Sequence, residues 1–337
     1  MTIDLTDTTT GAIDRALTET RRRLGGMTTG MVLTLLIMTD EEGQYDAIRA
    51  ANQAAREHPM RILAIITRRP KADSRLDAEI RVGESSPGET LVLRMYGPLA
   101  QHADSVAAPL LVPDVPVVTW WPENPPEIPA KHPLGVLAQR RVTDSAAAES
   151  PQEVLTSLAR AYQPGDTDFG WTRATPWRSL LAAILDQPHP KLDSGEVQAD
   201  QDNPTADLIT AWLTLRLGIP VRRTVSGGPG ITGVTFATSD GDITVTRLDG
   251  RTATLSWPGR PDRMVALHRR DIAELLAEEL RRLDPDEVYA ETLGRIGVRD
   301  AGTTVAGAET SDAGTGDIRT SDARADEGTT GDPRVDE

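Results

Sequence analysis

The chain has 337 residues, a formal net charge of −15 and no cysteine. A chain of this length is usually too long to fold around a single hydrophobic core, so two domains are expected. The acidity disfavours nucleic acid and anionic membranes as partners. The lack of cysteine excludes disulfides, thiol catalysis and zinc–thiolate sites.

The N-terminal residues and the shortness of the apolar runs predict a cytoplasmic protein. The N-terminal residues contain neither the basic nor the apolar stretch of a secretory signal. The longest apolar run, residues 31–38, is far too short to span a membrane.

The first half of the chain predicts an α/β domain over residues 1–150. A helix over residues 10–24 precedes an apolar strand at 32–38, a helix from Thr39 to about Glu57, and a strand at 61–67. That order is a βαβ unit with parallel strands. Strands at 76–82 and 90–96, a helix at 97–108 and a strand at 115–120 complete a mixed sheet.

The second half predicts an α+β domain over residues 151–298. A proline-rich loop at 122–133 and a short strand at 139–143 lead to helices at 151–162, 177–186 and 205–217. Alternating strands at 231–238, 242–248 and 252–257 are separated by Asp240-Gly241 and Asp249-Gly250, which are hairpin dipeptides. A fourth strand at 263–267 completes an antiparallel β-meander, and C-terminal helices follow, the first at 271–283.

The last segment, residues 299–337, predicts a disordered acidic tail. It is rich in Gly, Ala, Thr, Ser and Asp and has no aromatic residue. Such a composition buries too little apolar surface to offset the entropy of ordering.

Known catalytic motifs are weak or missing. Residues 228–233 match G-x-G-x-x-G, but a strand rather than a helix follows, so they predict a loop and not a dinucleotide site. The five histidines are widely separated, so neither a metal site nor a cofactor is predicted.

Two clusters remain as candidate binding sites. Arg56, His58 and Arg61 have side chains that can hold a phosphate or carboxylate. The alternative is that these basic residues only stabilise the dipole at a helix C-terminus. Trp121, Arg173 and Arg178 belong to Trp/Pro/Arg segments, and Trp and Arg are enriched at protein interfaces. The competing interpretation is that all these tryptophans are core residues near the ends of helices and strands. Contact with a partner is expected for Trp121, Arg173 and Arg178, whereas Trp120 and Trp177 are expected to be buried.

Several segments, taken in order along the chain, resemble one protein family. They are residues 56–61, 78–83, 96–99, 109–116 with 120–122, 139–145, and 166–178. Together they are similar to the glucose-6-phosphate dehydrogenase assembly protein OpcA, over about residues 1–298.

The resemblance implies a non-enzymatic protein that binds glucose-6-phosphate dehydrogenase. Such a protein promotes the active oligomer of the dehydrogenase or tunes its activity, at the entry to the oxidative pentose phosphate pathway. The family brings no catalytic residues and no cofactor, and it leaves a small-molecule effector open. The alternative is a sugar-phosphate sensor or a cryptic enzyme that uses Arg56, His58 and Arg61 together with Arg173.

Overall fold

The computed structural model of the chain describes residues 1–23, 30–68, 71–83 and 88–299. One compact unit contains all of them. The predicted disordered tail lies outside the described residues, apart from Arg299 at the end of the last helix. Within the described part, no helix is long and apolar enough to cross a membrane.

The first half of the chain folds into an eight-stranded sheet. Its strands lie side by side in the order β1-β4-β5-β3-β2-β6-β7-β8, and all neighbours from β5 to β8 are parallel. β4 and β1 continue the sheet antiparallel beyond β5. The strands are β1 Thr2–Leu5, β2 Leu33–Thr39, β3 Met60–Arg68, β4 Arg75–Val82, β5 Gly88–Tyr96, β6 Val117–Trp121, β7 Arg140–Thr143 and β8 Asp166–Asp168.

The helices cover both faces of this sheet, which explains its near-continuous apolar central strands. Along β2 and β3, Leu36 and Leu63 pack in one apolar cluster with α1 and α3, whereas Leu35 and Ile62 pack in another with α2 and α8. The helices are α1 Thr10–Arg23, α2 Gln44–Ala54, α3 Ala103–Ala107, α4 Pro133–Val136, α5 Pro151–Ala161, α6 Phe169–Leu185, α7 Pro204–Leu217, α8 Ile272–Arg281 and α9 Glu287–Arg299.

A second sheet of six strands follows, in the order β10-β9-β11-β12-β13-β14. The strands from β11 to β14 form the predicted antiparallel meander, and β10 joins β9 in parallel at the far edge. The strands are β9 Leu192–Ala199, β10 Val221–Val225, β11 Ile231–Thr238, β12 Ile243–Thr246, β13 Thr252–Trp257 and β14 Arg260–Ala266. The predicted fold class, an α/β part followed by an α+β part, is confirmed.

One face of the second sheet packs on α6 and α7, through a core that includes Trp177, Ile209 and Phe236. β14 forms the outer edge, and nearly all of its residues are exposed. The division into domains at residue 150 stays a prediction, because the two sheets share one compact unit.

Helix α6 corrects one prediction. The sequence suggested a helix that begins at Trp177 after Pro176, but α6 begins at Phe169 and runs through Pro176. A proline inside a helix leaves the carbonyl four residues earlier without its donor. Here that carbonyl belongs to Thr172, and the guanidinium of Arg270 donates to it instead. A residue distant in sequence thus permits the helix to continue.

A buried ion pair joins the first sheet to the last helices. The Nε of Arg140, on β7, donates to Oε2 of Glu279, on α8, at 3.0 Å, and both side chains are 6% exposed. The Nη1 of Arg140 also donates to the carbonyl of Asp284, and Glu279 accepts from the hydroxyl of Thr172 at 2.5 Å. Both charges are therefore paired and hydrogen-bonded, as burial requires.

The six parallel strands have a recognisable order. Numbered along the chain, they lie 3-2-1-4-5-6 across the sheet, the order of doubly wound dinucleotide-binding folds. In such sheets, ligands bind beyond the carboxyl ends of the strands where the order reverses, here between β2 and β6. The sequence predicted the βαβ unit but not this order.

We predict that Glu279→Ala lowers the free energy of unfolding by about 3–5 kcal/mol, because Arg140 is left as an unpaired buried charge. The control is Glu291→Ala, since Glu291 pairs with Arg216 at the surface with 56% and 41% of the side chains exposed. It should cost about 1 kcal/mol or less. Urea denaturation followed by circular dichroism measures both, and equal losses would refute a special role for the buried pair.

We also predict that His132 contributes to the loss of folding stability at acidic pH. Its Nδ1 accepts from the backbone N–H of Leu134 at 3.2 Å, and its ring meets Trp121 edge-on with 5.4 Å between centroids. Burial lowers the pKa of His132 below 6.5, so the unfolded chain takes up a proton at a higher pH than the folded chain does. The free energy of unfolding therefore falls as the pH drops from 6.5 through the pKa of the folded state.

His132→Gln should flatten that pH dependence between about pH 7 and about pH 5. His189→Gln is the matched control, because the His189 side chain is exposed. Chemical denaturation at a series of pH values measures the difference between variant and wild type. An unchanged slope in His132→Gln would contradict the prediction.

Candidate functional site

The crevice where the strand order reverses is the first candidate site. It has a volume of about 430 Å³ and lies beyond the ends of β2, β6 and β7. We call it the switch-point crevice, and its lining includes Gly43, Asp46, Arg49, Trp120, Pro122, Glu123, Asp144 and Asp271. Four of these residues carry carboxylates.

The turn between β2 and α2, at one side of the crevice, is acidic and has the sequence Thr39-Asp40-Glu41-Glu42-Gly43. In dinucleotide-binding folds a glycine-rich turn at this place offers its N–H groups to a pyrophosphate. Here Oδ1 of Asp40 accepts from the N–H of Glu42 at 2.9 Å and of Gly43 at 2.7 Å. A carboxylate of the chain thus occupies the donors that a pyrophosphate would need, and its charge opposes a second anion.

Just beyond β7 and β8, a buried polar cluster fixes the start of α6. Asp168 is fully buried, and its carboxylate accepts from Thr143 Oγ1, from both the N–H and the hydroxyl of Ser145, and from the N–H of Gly170, all at 2.7–2.8 Å. Burial and the nearby charge of Asp144 raise the pKa of Asp168, while these hydrogen bonds oppose the rise. The cluster is a structural cap, since every carboxylate oxygen is engaged.

Arg173, a predicted partner residue, binds the neighbouring Asp144. Its two terminal nitrogens donate to the two carboxylate oxygens at 2.6 and 2.7 Å. The Asp144 side chain is 3% exposed and that of Arg173 27% exposed. Burial opposes the charge on Arg173, but the bidentate pairing outweighs it and raises the pKa of the guanidinium. Arg173 therefore has a clear structural task besides any contact with a partner.

Arg178 lies one turn further along α6, at a cleft of about 560 Å³. We call it the α6 cleft, and its lining includes Arg140, Trp171, Thr175, Arg178, Glu278, Arg282, Asp284 and Asp286. The guanidinium of Arg178 stacks on the ring of Trp171 at 3.6 Å from its centroid and donates to Thr175 Oγ1 at 3.1 Å. Its Nε is buried without a hydrogen-bond partner, and burial lowers the pKa of the side chain.

Trp121 requires a correction. Its side chain is 2% exposed, because β6 lies inside a sheet with both faces covered. The predicted strand ended at residue 120 and left Trp121 at the start of the loop, but β6 includes Trp121 and both tryptophans are buried. Trp121 therefore offers almost no surface for direct contact with a partner. Burial of Trp120 and Trp177, at 1% and 2% exposure, agrees with the core interpretation.

The predicted anion site of Arg56, His58 and Arg61 is not assembled. Arg56 is exposed, and Nε2 of His58 lies 3.1 Å from the carbonyl of Ala277 on α8. Arg61 extends from the opposite face of the sheet, where it is 5% exposed and donates to Glu89 at 2.9 Å. A helix end and a strand start are adjacent in sequence, yet their side chains separate across the sheet.

A different group of basic residues converges instead. Arg247, Arg269 and Arg270 line a common cavity with Arg173. The sequence does indicate that Arg247 is unusual. Arg247 continues the alternation of the inward-facing residues Ile243 and Val245, so an arginine takes a core position. Arg269 and Arg270 gave no local signal, because only the fold places them beside Arg247.

The fold has partial likenesses among solved structures. A 3-ketoreductase from Actinomadura kijaniata in complex with NADP and TDP-benzene aligns with a TM-score of 0.46 and 12% identity, over 81% of this chain and 97% of that one. An oxidoreductase from Sinorhizobium meliloti aligns with a TM-score of 0.43 and 10% identity, over 80% and 87%. With TM-scores this low, the superpositions establish no functional relationship. No curated protein matches the chain.

Two protein-family models match the sequence. The glucose-6-phosphate dehydrogenase subunit N-terminal domain matches residues 51–160, and the C-terminal domain of the same subunit matches residues 164–293. The matches follow each other in order and together cover most of the chain, so the chain belongs to the family of the glucose-6-phosphate dehydrogenase assembly protein OpcA.

Proposed function

We propose that this chain is a non-catalytic assembly factor that binds glucose-6-phosphate dehydrogenase and favours its active oligomer. The observation that carries the proposal is the match of both subunit domains, in order, over residues 51–160 and 164–293. The chain then acts in the cytoplasm, at the entry to the oxidative pentose phosphate pathway.

The switch-point crevice supports a non-catalytic role. A dehydrogenase of this architecture needs its dinucleotide at that place. The carboxylate of Asp40 instead occupies the N–H groups of the turn, and Glu123 adds negative charge to the crevice. These groups favour a scaffold that has the strand order of a dinucleotide-binding fold and does not bind a dinucleotide.

The α6 cleft is the surface that we assign to the dehydrogenase. Arg178 is half-buried and presents a flat guanidinium that is stacked on Trp171. An arginine held against an aromatic ring loses little side-chain entropy on binding and suits an interface hot spot. Arg173 stays a proposed contact, but its pairing with Asp144 makes it a poor test residue.

Activation requires that the chain bind the active state of the dehydrogenase more tightly than the inactive state. A tenfold preference corresponds to about 1.4 kcal/mol and shifts the equilibrium by the same factor. A few well-placed contacts in a cleft of this size can supply that difference.

We predict from this proposal that the purified chain forms a complex with the dehydrogenase of the same organism and raises the activity of the dehydrogenase. Size-exclusion chromatography of the mixed proteins, with dehydrogenase activity assayed across the peaks, measures both. A shift of the two proteins into one peak with higher specific activity supports the proposal. Separate peaks and unchanged activity at micromolar concentration would sink it.

The second prediction is that Arg178→Ala raises the Kd of the complex by about tenfold or more, because a central arginine anchor is lost. Removing its stack on Trp171 should cost only about 1 kcal/mol of stability. Biolayer interferometry measures the Kd, and a thermal melt checks the fold. The control is Arg22→Ala on α1, whose side chain is 75% exposed. Loss of the cooperative transition in Arg178→Ala, or equal effects in both variants, would exclude the α6 cleft as the interface.

A further inference from the structure

A cavity of about 170 Å³ lies between α6, the start of α7 and the second sheet. We call it the arginine pocket, and its lining includes Arg173, Trp177, Asn203, Thr205, Gly230, Arg247, His268, Arg269 and Arg270. A single water needs on the order of 15 Å³ of such space, so the pocket has room for a polyatomic ligand. Four arginines around one cavity are unexpected in a chain with a net charge of −15.

Arg247 is built into the floor of the pocket. It is 6% exposed, and its guanidinium lies 4.9 Å from the ring centroid of Trp177. Its two terminal nitrogens donate to the carbonyls of Leu267 at 3.2 Å and Ile231 at 3.1 Å. These neutral carbonyls hold the side chain in place without cancelling its charge, and its Nε is buried without a partner.

Arg269 faces Arg247 with its charge also unpaired. Its guanidinium lies against Gly230, where an added Cβ would come within 3.2 Å of Nη2, so the glycine makes room for it. Among the described residues, neither arginine is ion-paired with a carboxylate. Burial, with the repulsion of Arg269, lowers the pKa of Arg247 to about 10. The charge of Asp249 opposes this lowering in part. The cavity thus holds a buried arginine, Arg247, and a solvent-exposed one, Arg269, without an ion pair to either in the described part of the chain.

The other charges at the pocket are accounted for. Arg173 pairs with Asp144 and Arg270 with Glu278. The exposed His268 lies 3.5 Å from Glu274. Asp200 lies near the rim, but its two oxygens accept from Asn203 Nδ2 at 2.6 Å and from the N–H of Gly230 at 2.9 Å.

The first turn of α7 also contributes to the pocket. This helix has 14 residues, begins at Pro204 and places Thr205 on the lining. Its dipole adds positive potential at the same point.

We propose that the arginine pocket is a binding site for a small oxyanion of the phosphomonoester class, held by Arg247 and Arg269. A phosphate group accepts from guanidinium donors in a charge-assisted, bidentate geometry. Its negative charge would offset the repulsion between the two arginines that line the cavity. The volume leaves space for a small organic group beside the phosphate. This site is distinct from the α6 cleft and does not depend on binding of the dehydrogenase.

Isothermal titration calorimetry of the isolated full chain, in a buffer free of phosphate and sulfate, tests the proposal. The probes are inorganic phosphate, glucose 6-phosphate and glucose. Saturable binding of either phosphate compound, with no binding of glucose, is the expected result. A tighter Kd for glucose 6-phosphate than for inorganic phosphate assigns the ligand to the phosphomonoesters. Equal values keep the oxyanion site but overturn that assignment, and no saturable binding of either overturns the whole proposal.

Two arginine variants locate the site. Arg269→Gln should weaken binding by about tenfold or more, because a charge-assisted contact is lost. Its side chain is exposed, so the fold should not suffer. Arg263→Gln, an exposed arginine on β14, is the matched control and should change the Kd by less than about twofold. Equal weakening in both variants would mean general charge attraction and would overturn the site.

Arg247→Lys gives a second readout that keeps the charge but not the fork geometry. It should weaken binding while the thermal transition stays cooperative, and unchanged affinity would exclude Arg247 as a ligand. Because all these measurements use the chain alone, their failure leaves the dehydrogenase proposal untouched, and failure of the dehydrogenase complex leaves this site untouched.

Discussion

The ion pair between Arg140 and Glu279 anchors helices α6 and α8 to the first sheet. Arg140 belongs to the first sheet, and Glu279 belongs to α8, which packs against α2 and α6. Thr172 of α6 donates to the same carboxylate, so one buried charge connects three elements. Removing a partner from such a group costs far more than the pair contributes, because the remaining charge cannot return to water. The junction is therefore specific rather than adaptable.

The first sheet has the strand order of a dinucleotide-binding fold but a different turn at the point where that order reverses. The parallel strands keep the 3-2-1-4-5-6 order of a dinucleotide-binding sheet. At the reversal point, however, Asp40 accepts the N–H groups that a pyrophosphate would need. Positive charge is concentrated elsewhere, around Arg247 and Arg269. Carboxylates therefore line the crevice of the first sheet, whereas arginines line the pocket at the second sheet.

The sequence predicted local features well and long-range ones poorly. The meander was correctly predicted because Asp240-Gly241 and Asp249-Gly250 mark its first two connections, where both glycines take a positive φ. The course of α6 was not, because the donor that permits Pro176 comes from Arg270. Burial of Trp121 depends on helices that cover both faces of its sheet. The arginine pocket was missed for the same reason, as its residues come from separate elements.

The edge of the second sheet has a consequence for how any complex forms. β14 begins Arg260-Pro261-Asp262-Arg263, and these residues are exposed. Proline lacks a donor, and charged side chains resist close approach of another strand, so this edge is protected against sheet extension. A partner at this side of the molecule cannot add its own strand here and has to bind through side chains on a preformed surface. Binding and release of a partner at this edge would then leave the hydrogen bonds of the sheet unchanged.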